Sequence, residues 1–114
     1  MKIIHKRTGK IIAHEARIAS TTLSRMKGLM FIDKMDGFDA LILDPGNSIH
    51  NCFVRFSLDV IFVNNKYEVV KIIRDFKPWR FSWIYFRATK VIELQAGSLI
   101  KEIKESDVVE VQGV

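Results

Sequence analysis

With one cysteine, two prolines and six glycines in 114 residues, the chain falls outside several protein classes at the outset. A lone Cys52 forms no intramolecular disulfide and no cysteine-rich zinc module, and it fits a reducing compartment. The scarcity of proline and glycine leaves no segment that reads as a flexible linker, and no internal repeat or low-complexity tract is present. Uninterrupted apolar runs such as Val60-Ile61-Phe62-Val63 fall far short of the roughly 20 residues a membrane-spanning helix needs. The basic opening MKIIHKRTGK is followed by only Ile11-Ile12-Ala13 before His14 and Glu15 interrupt, not by an apolar core. No secretory leader is read there, and a cytoplasmic location is expected.

What is present suits one packed domain over residues 1–114. Hydrophobic residues make up 48% and charged residues 27%, which excludes a disordered chain. The net charge of +5 is unevenly spread. Residues 1–30 hold seven Lys/Arg against Glu15, and residues 71–90 hold six against Asp75. Either basic segment offers a surface to an anionic partner, or simply a solvated face.

Two β-branched stretches, Lys2 to His5 and Lys10 to Ala13, flank Thr8-Gly9 and predict a hairpin whose second strand runs on toward Ile18. Ser20, Thr21 and Thr22 offer a helix N-cap, behind which Leu23, Met26 and Met30 share one helical face. Further strands are predicted at Ala40–Leu43, Ser48–Phe53, Leu58–Val63, Tyr67–Arg74, Ala88–Leu94 and Val108–Val111, with a helical turn after Ser98. Asp44-Pro45-Gly46-Asn47 and Asn64-Asn65-Lys66 mark turns. About eight short strands and one or two short helices make the fold mainly β, a small barrel or sandwich, because helical patterns do not alternate with the strands.

Several colinear stretches carry a resemblance: Arg25-Met26-Lys27-Gly28-Leu29-Met30, the run from Asn47 through His50, Arg55 and Asp59 to Phe62, then Val70–Ile73, Lys77–Arg80, Val91–Gly97 and Glu105–Val109. Together, over roughly residues 14–112, they resemble the domain of unknown function 192 family (DUF192), uncharacterised small proteins of bacteria and archaea. The resemblance implies a small β-rich fold and no established activity. Many relatives are exported; this chain shows no leader. It departs from the family pattern at Phe31-Ile32, Cys52, Ser57 and Ser106; at Ser57 and Ser106, where relatives carry proline and glycine, this alters turn stiffness rather than fold.

Candidate chemistry is sparse. On a strand His50 and Cys52 would project from one face, the minimum for a thiolate–imidazole pair. With Asp59 they would make three potential metal ligands, His5 and His14 standing apart, although the spacing matches no established ligand pattern. A small hydrolase or metal-dependent enzyme built on His50, Cys52 and Asp59 is therefore the alternative to a non-enzymatic binding or accessory domain. The binding reading expects no catalytic residue, metal or cofactor. It expects a polar cleft near Arg25, His50, Arg55 and Asp59, beside Trp79 and Arg80. Within it, Asp59 interrupts an apolar strand and is expected to pair with the guanidinium of Arg25 or Arg55. Residues 76–87 hold both tryptophans among six aromatics interleaved with Lys77, Arg80 and Arg87. Such a segment covers an open end of the core as a lid, or presents Trp79, Arg80, Trp83, Tyr85 and Arg87 to a protein partner, a membrane or a nucleic acid.

Overall fold

The computed structural model describes residues 1–113. Two sheets and one short helix account for the regular structure. Strands β1 (Lys2–His5), β2 (Ile11–Ala13) and β8 (Val109–Gln112) form an antiparallel three-stranded sheet in the order β2-β1-β8. Strands β3 (Ala16–Ala19), β4 (Ala40–Leu43), β5 (Leu58–Val63), β6 (Val69–Phe76) and β7 (Lys90–Gln95) form the larger sheet, in the order β3-β4-β7-β5-β6. All its pairings are antiparallel except β3 with β4. Of the two forms the sequence left open, the sheets pack as layers and do not close into a barrel.

Every residue of β4 and β5 is buried, so both faces of the larger sheet are covered. Alternation sends Ile42, Ile61, Val63, Ile92 and Leu94 toward the three-stranded sheet, where Ile3, Ile12 and Val109 meet them. Leu41, Leu43, Val60, Phe62 and Val91 face the other way and pack under Leu29, Ile49, Val54 and Ala88, residues outside the strands. One face is thus closed by a sheet and the other by a layer of irregular chain. That second layer carries the candidate site.

Where the structure departs from the sequence reading, hydrogen bonding explains it. The first hairpin forms, but its second strand does not run on to Ile18. The Asp39 carboxylate accepts the backbone N–H groups of His14 and Glu15 at 2.7 and 2.8 Å, which turns the chain so that β3 joins the other sheet. Residues 48–53 make no strand; only His50 bridges Phe81. Asn51 instead spreads its bonds, its side-chain amide donating to the carbonyls of Phe56 and Phe76. Residues after Ser98 form turns rather than a helix. Helix α1 (Thr22–Lys27) forms with Thr21 as N-cap in a reciprocal capping box with Ser24. None of its residues is buried, so the face of Leu23 and Met26 looks outward.

Candidate functional site

The larger sheet buries two carboxylates on opposite faces, with opposite treatment. Asp59, on β5, is 2% exposed. Its oxygens accept the backbone N–H groups of Asp75 at 3.0 Å, Gly97 at 2.9 Å and Leu99 at 3.1 Å. The expected guanidinium partner is absent. Arg55 is exposed and pairs with Asp33 at 2.5 Å, and Arg25 donates to the carbonyl of Pro45 at 3.3 Å. Three amides satisfy the carboxylate in place of an arginine: one comes from Asp75 on β6, and two from the 96–99 turn, which folds back over the end of β5 and aims its N–H groups inward. Asp59 is thereby committed to holding loops to the sheet.

Glu93, on β7, sits between Leu41 of β4 and Val60 of β5 in register and shares Val91's side, toward the irregular layer. It is 3% exposed, and none of the described residues forms a hydrogen bond or ion pair with its side chain. Burial alone pushes its carboxyl up from 4.5 to about 8. At neutral pH it is a neutral acid that can both donate and accept.

The space it faces is a cavity of about 80 Å³, lined by Arg25 to Met30, Leu43, Ser48 to His50 and Val54 as well as Glu93. That is well above the roughly 10–15 Å³ a water requires. Gly28, at φ 48°, ends α1 over the carboxyl; a Cβ there would lie 3.9 Å from Glu93 Oε1. The Nε of Arg25 is buried without an acceptor among the described residues. Outside lies an open cleft between Thr22 and the Pro45–Ser48 turn, sharing Arg25, Met26, Leu43, Ser48 and His50 with the cavity.

Of the residues named from sequence, the structure therefore brings Arg25 and His50 together at this cavity. Arg55, Trp79 and Arg80 do not line it, and Asp59 lies across the sheet. The His50–Cys52–Asp59 constellation is dispersed for the same reason: His50 Nδ1 accepts the backbone N–H of Cys52 at 3.2 Å, while Asp59 is bonded on the far face. Glu93 carries the same sequence signal as Asp59, an acid among β-branched neighbours in an apolar strand, and the sequence does not show that it faces a cavity.

Elsewhere, Thr8 Oγ1, His5 and Asp107 form a chain of contacts, 2.7 Å at each end of the imidazole. Arg7 and the Lys104 N–H also donate to that carboxylate, and the Arg7 guanidinium foremost holds it far below the usual range. The order mimics a nucleophile, base and acid, but His5 is fully buried and Thr8 lies in the hairpin turn. The cluster clasps the first hairpin to the 104–107 turn.

The aromatic segment does not act as a lid throughout. Tyr85 packs on Phe62, ring centroids 4.7 Å apart, whereas Trp79, Phe81, Trp83, Ile84 and Phe86 are exposed.

Comparison with known proteins agrees with this architecture. The chain is 34% identical to a UPF0127 protein of Thermococcus sibiricus over 99 residues, 83% of this chain and 64% of that protein. It is 37% identical to one from Pyrococcus furiosus, covering 64% of this chain and 65% of the relative. It thus spans just under two thirds of the length of both. Among solved structures, a protein of unknown function from Novosphingobium aromaticivorans superposes with a TM-score of 0.72 at 20% identity, over 97% of this chain and 93% of that one. A candidate transcription regulator from Sinorhizobium meliloti gives 0.75 at 22%, over 96% and 89%; at such identities the likeness is one of fold. The profile of DUF192, described as "Uncharacterized ACR, COG1430", matches residues 3–111, and the chain belongs to that family.

Proposed function

We propose that this chain is a non-enzymatic binding module whose ligand is a small polar molecule entering between α1 and the 45–50 segment to end on Glu93. The observation that carries this reading is a carboxyl buried to 3% exposure that faces a cavity and has no partner among the described residues. Buried polar groups are almost always hydrogen-bonded, and leaving one unmade costs about 1–3 kcal/mol. A stable fold tolerates such a group where a ligand completes it. Arg25, whose Nε is among the buried atoms without a partner in the described residues, lines the same cavity. A donor–acceptor ligand, such as a molecule bearing a carboxamide, answers both: it exchanges hydrogen bonds with the neutral carboxyl and accepts from the guanidinium. The apolar part of the wall, Leu29, Leu43, Ile49 and Val54, favours a compact body, and Lys27, which also lines the cavity, disfavours a cationic one.

Acetamide and methylammonium, titrated separately into isotope-labelled protein, test this by NMR. Acetamide is expected to perturb Gly28, Ile49 and the Arg25 Nε resonance at millimolar concentration, and Glu93→Leu should abolish the response. Stronger binding of methylammonium would point to a cationic ligand and contradict the reading. Equal responses in the native protein and Glu93→Leu would remove Glu93 from the site.

A further inference from the structure

The irregular layer that roofs Glu93 has an outer surface of its own, and its composition is singular. It is built from residues 20–32, 45–58 and 76–88. Hydrogen bonds tie the last two together, from the N–H groups of Trp79, Ser82 and Tyr85 to the carbonyls of Asn51, Ile49 and Asn47. The first is joined at Phe31, which donates to the carbonyl of Phe53. None of the three segments contains an Asp or Glu, while they carry Arg25, Lys27, Arg55, Lys77, Arg80 and Arg87. Arg55 and Lys77 pair with Asp33 and Asp75 at the margin. The other four form no ion pair among the described residues, Arg87 bordering a polar pocket that also holds Glu68 and Glu105.

Between these cations stand side chains that a water-facing layer has no reason to present. Leu23 is 78% exposed, Phe81 75%, Trp83 82% and Phe86 86%. Met26, Phe31, Phe53, Trp79 and Ile84 are also exposed. The rings of Phe31, Phe53 and Trp79 form a row with centroids 5.3 and 4.8 Å apart, and Phe81 leans on His50 at 6.1 Å.

We infer that this layer is a docking face for the surface of an anionic phospholipid bilayer. Two features favour a fluid surface over a folded partner or a nucleic acid. Side chains this exposed stand clear of the surface, and a bilayer receives them without complementary pockets. Leu23, Met26 and Ile84 are aliphatic and have no use in stacking on bases, which nucleic-acid platforms rely on. Tryptophan at the headgroup level, aliphatics just beneath it and unpaired arginines against lipid phosphates is the arrangement that interfacial binding rewards. The cations attract the face to the membrane, and the protruding rings hold it there. This inference does not require a ligand at Glu93; of the cations, Arg25 and Lys27 also line that cavity, and the test rests on Arg80 and Arg87, which do not.

Both tryptophans of the chain lie on this face, so their emission reports contact directly. Vesicles of phosphatidylcholine mixed with phosphatidylglycerol are expected to retain the protein in sedimentation and to shift Trp emission to the blue, with retention falling steeply as salt is added. Pure phosphatidylcholine vesicles should retain little. The double variant Arg80→Gln, Arg87→Gln should bind mixed vesicles roughly 30-fold more weakly, at about fivefold per cation. Trp83→Ser with Phe86→Ser, both at exposed positions, should remove the salt-resistant part of the binding while circular dichroism stays unchanged. Equal retention on both vesicle types, or no change in either variant, would overturn the inference. So would retention on a single-stranded oligonucleotide with none on vesicles.

Discussion

Replacing Glu93 by glutamine tests the physical basis of the candidate site without any ligand. The side chain of Gln matches the protonated carboxyl in shape and cannot ionise. In the folded protein the carboxyl titrates near 8, against 4.5 in its ordinary state. Below pH 4.5 both folded and unfolded chains hold the proton, and burial of Glu93 carries no ionisation penalty. Between 4.5 and about 8 the unfolded chain has released a proton that the folded one keeps. Stability therefore falls as pH rises, by about 1.4 kcal/mol per unit. By pH 7 the loss is roughly 3 kcal/mol, and above about 8 it levels off. Glu93→Gln should melt within a few degrees of the native protein at pH 5. It should gain on it steadily, reaching an advantage on the order of 10 °C by pH 7.5. Thermal denaturation in matched buffers across this range gives the difference, and other titrating groups, common to both proteins, cancel. A difference that stays level between pH 5 and 8 would refute the reasoning, because the carboxyl would then be ionised with a partner in the folded state.

Three further outcomes follow from the same geometry. Asp59→Asn replaces a carboxylate that accepts three N–H groups by an amide with one acceptor oxygen. A loss of about 2–3 kcal/mol in urea denaturation is expected, and an unchanged midpoint would contradict the fastening role. Asp107 behaves oppositely to Glu93: its carboxyl is held below the ordinary 3.8, so it stabilises above that pH and ceases to do so as pH falls through its folded value. Asp107→Ala leaves the buried His5 ring without its acceptor and should lose about 1–3 kcal/mol at pH 7, with the deficit shrinking below pH 4; a deficit constant with pH would count against the ionised clasp. Cys52→Ser should leave melting temperature within about 0.5 kcal/mol equivalent and leave acetamide binding intact, whereas loss of binding would reopen the thiol's role.

Most strand positions were legible because the sequence concentrates β-branched and apolar residues into short runs, residues 48–53 being the exception, and the turn at Asn64 was legible because its side chain accepts the N–H groups of Lys66 and Glu68. The first helix was marked by its cap. The fate of Asp59 and Glu93 was not. Both are acids within apolar strands, and what separates them is chain far away: the 96–99 turn that reaches Asp59, and the α1–Gly28 segment that stops short of Glu93. The break between β2 and β3 was hidden for the same reason, resting on Asp39, more than twenty residues downstream. The outward aspect of Leu23 and Met26 likewise follows from where the helix lands, not from its periodicity.

A sheet roofed by irregular chain on one side has unequal covers. The sheet-side cover is held by strand pairing, whereas the other hangs on scattered bonds from Asn51, Ser82 and a few amides. Partial opening on that side leaves the ladder of β4, β7 and β5 whole. Solvent, protons and small solutes are therefore expected to reach Glu93 without global unfolding. Amide exchange at Ile49 and Tyr85 that outpaces exchange at Ile61 and Ile92 would be the sign of it. Anything that settles on the outer aromatics, by weighting that roof, would also slow traffic to the acid beneath.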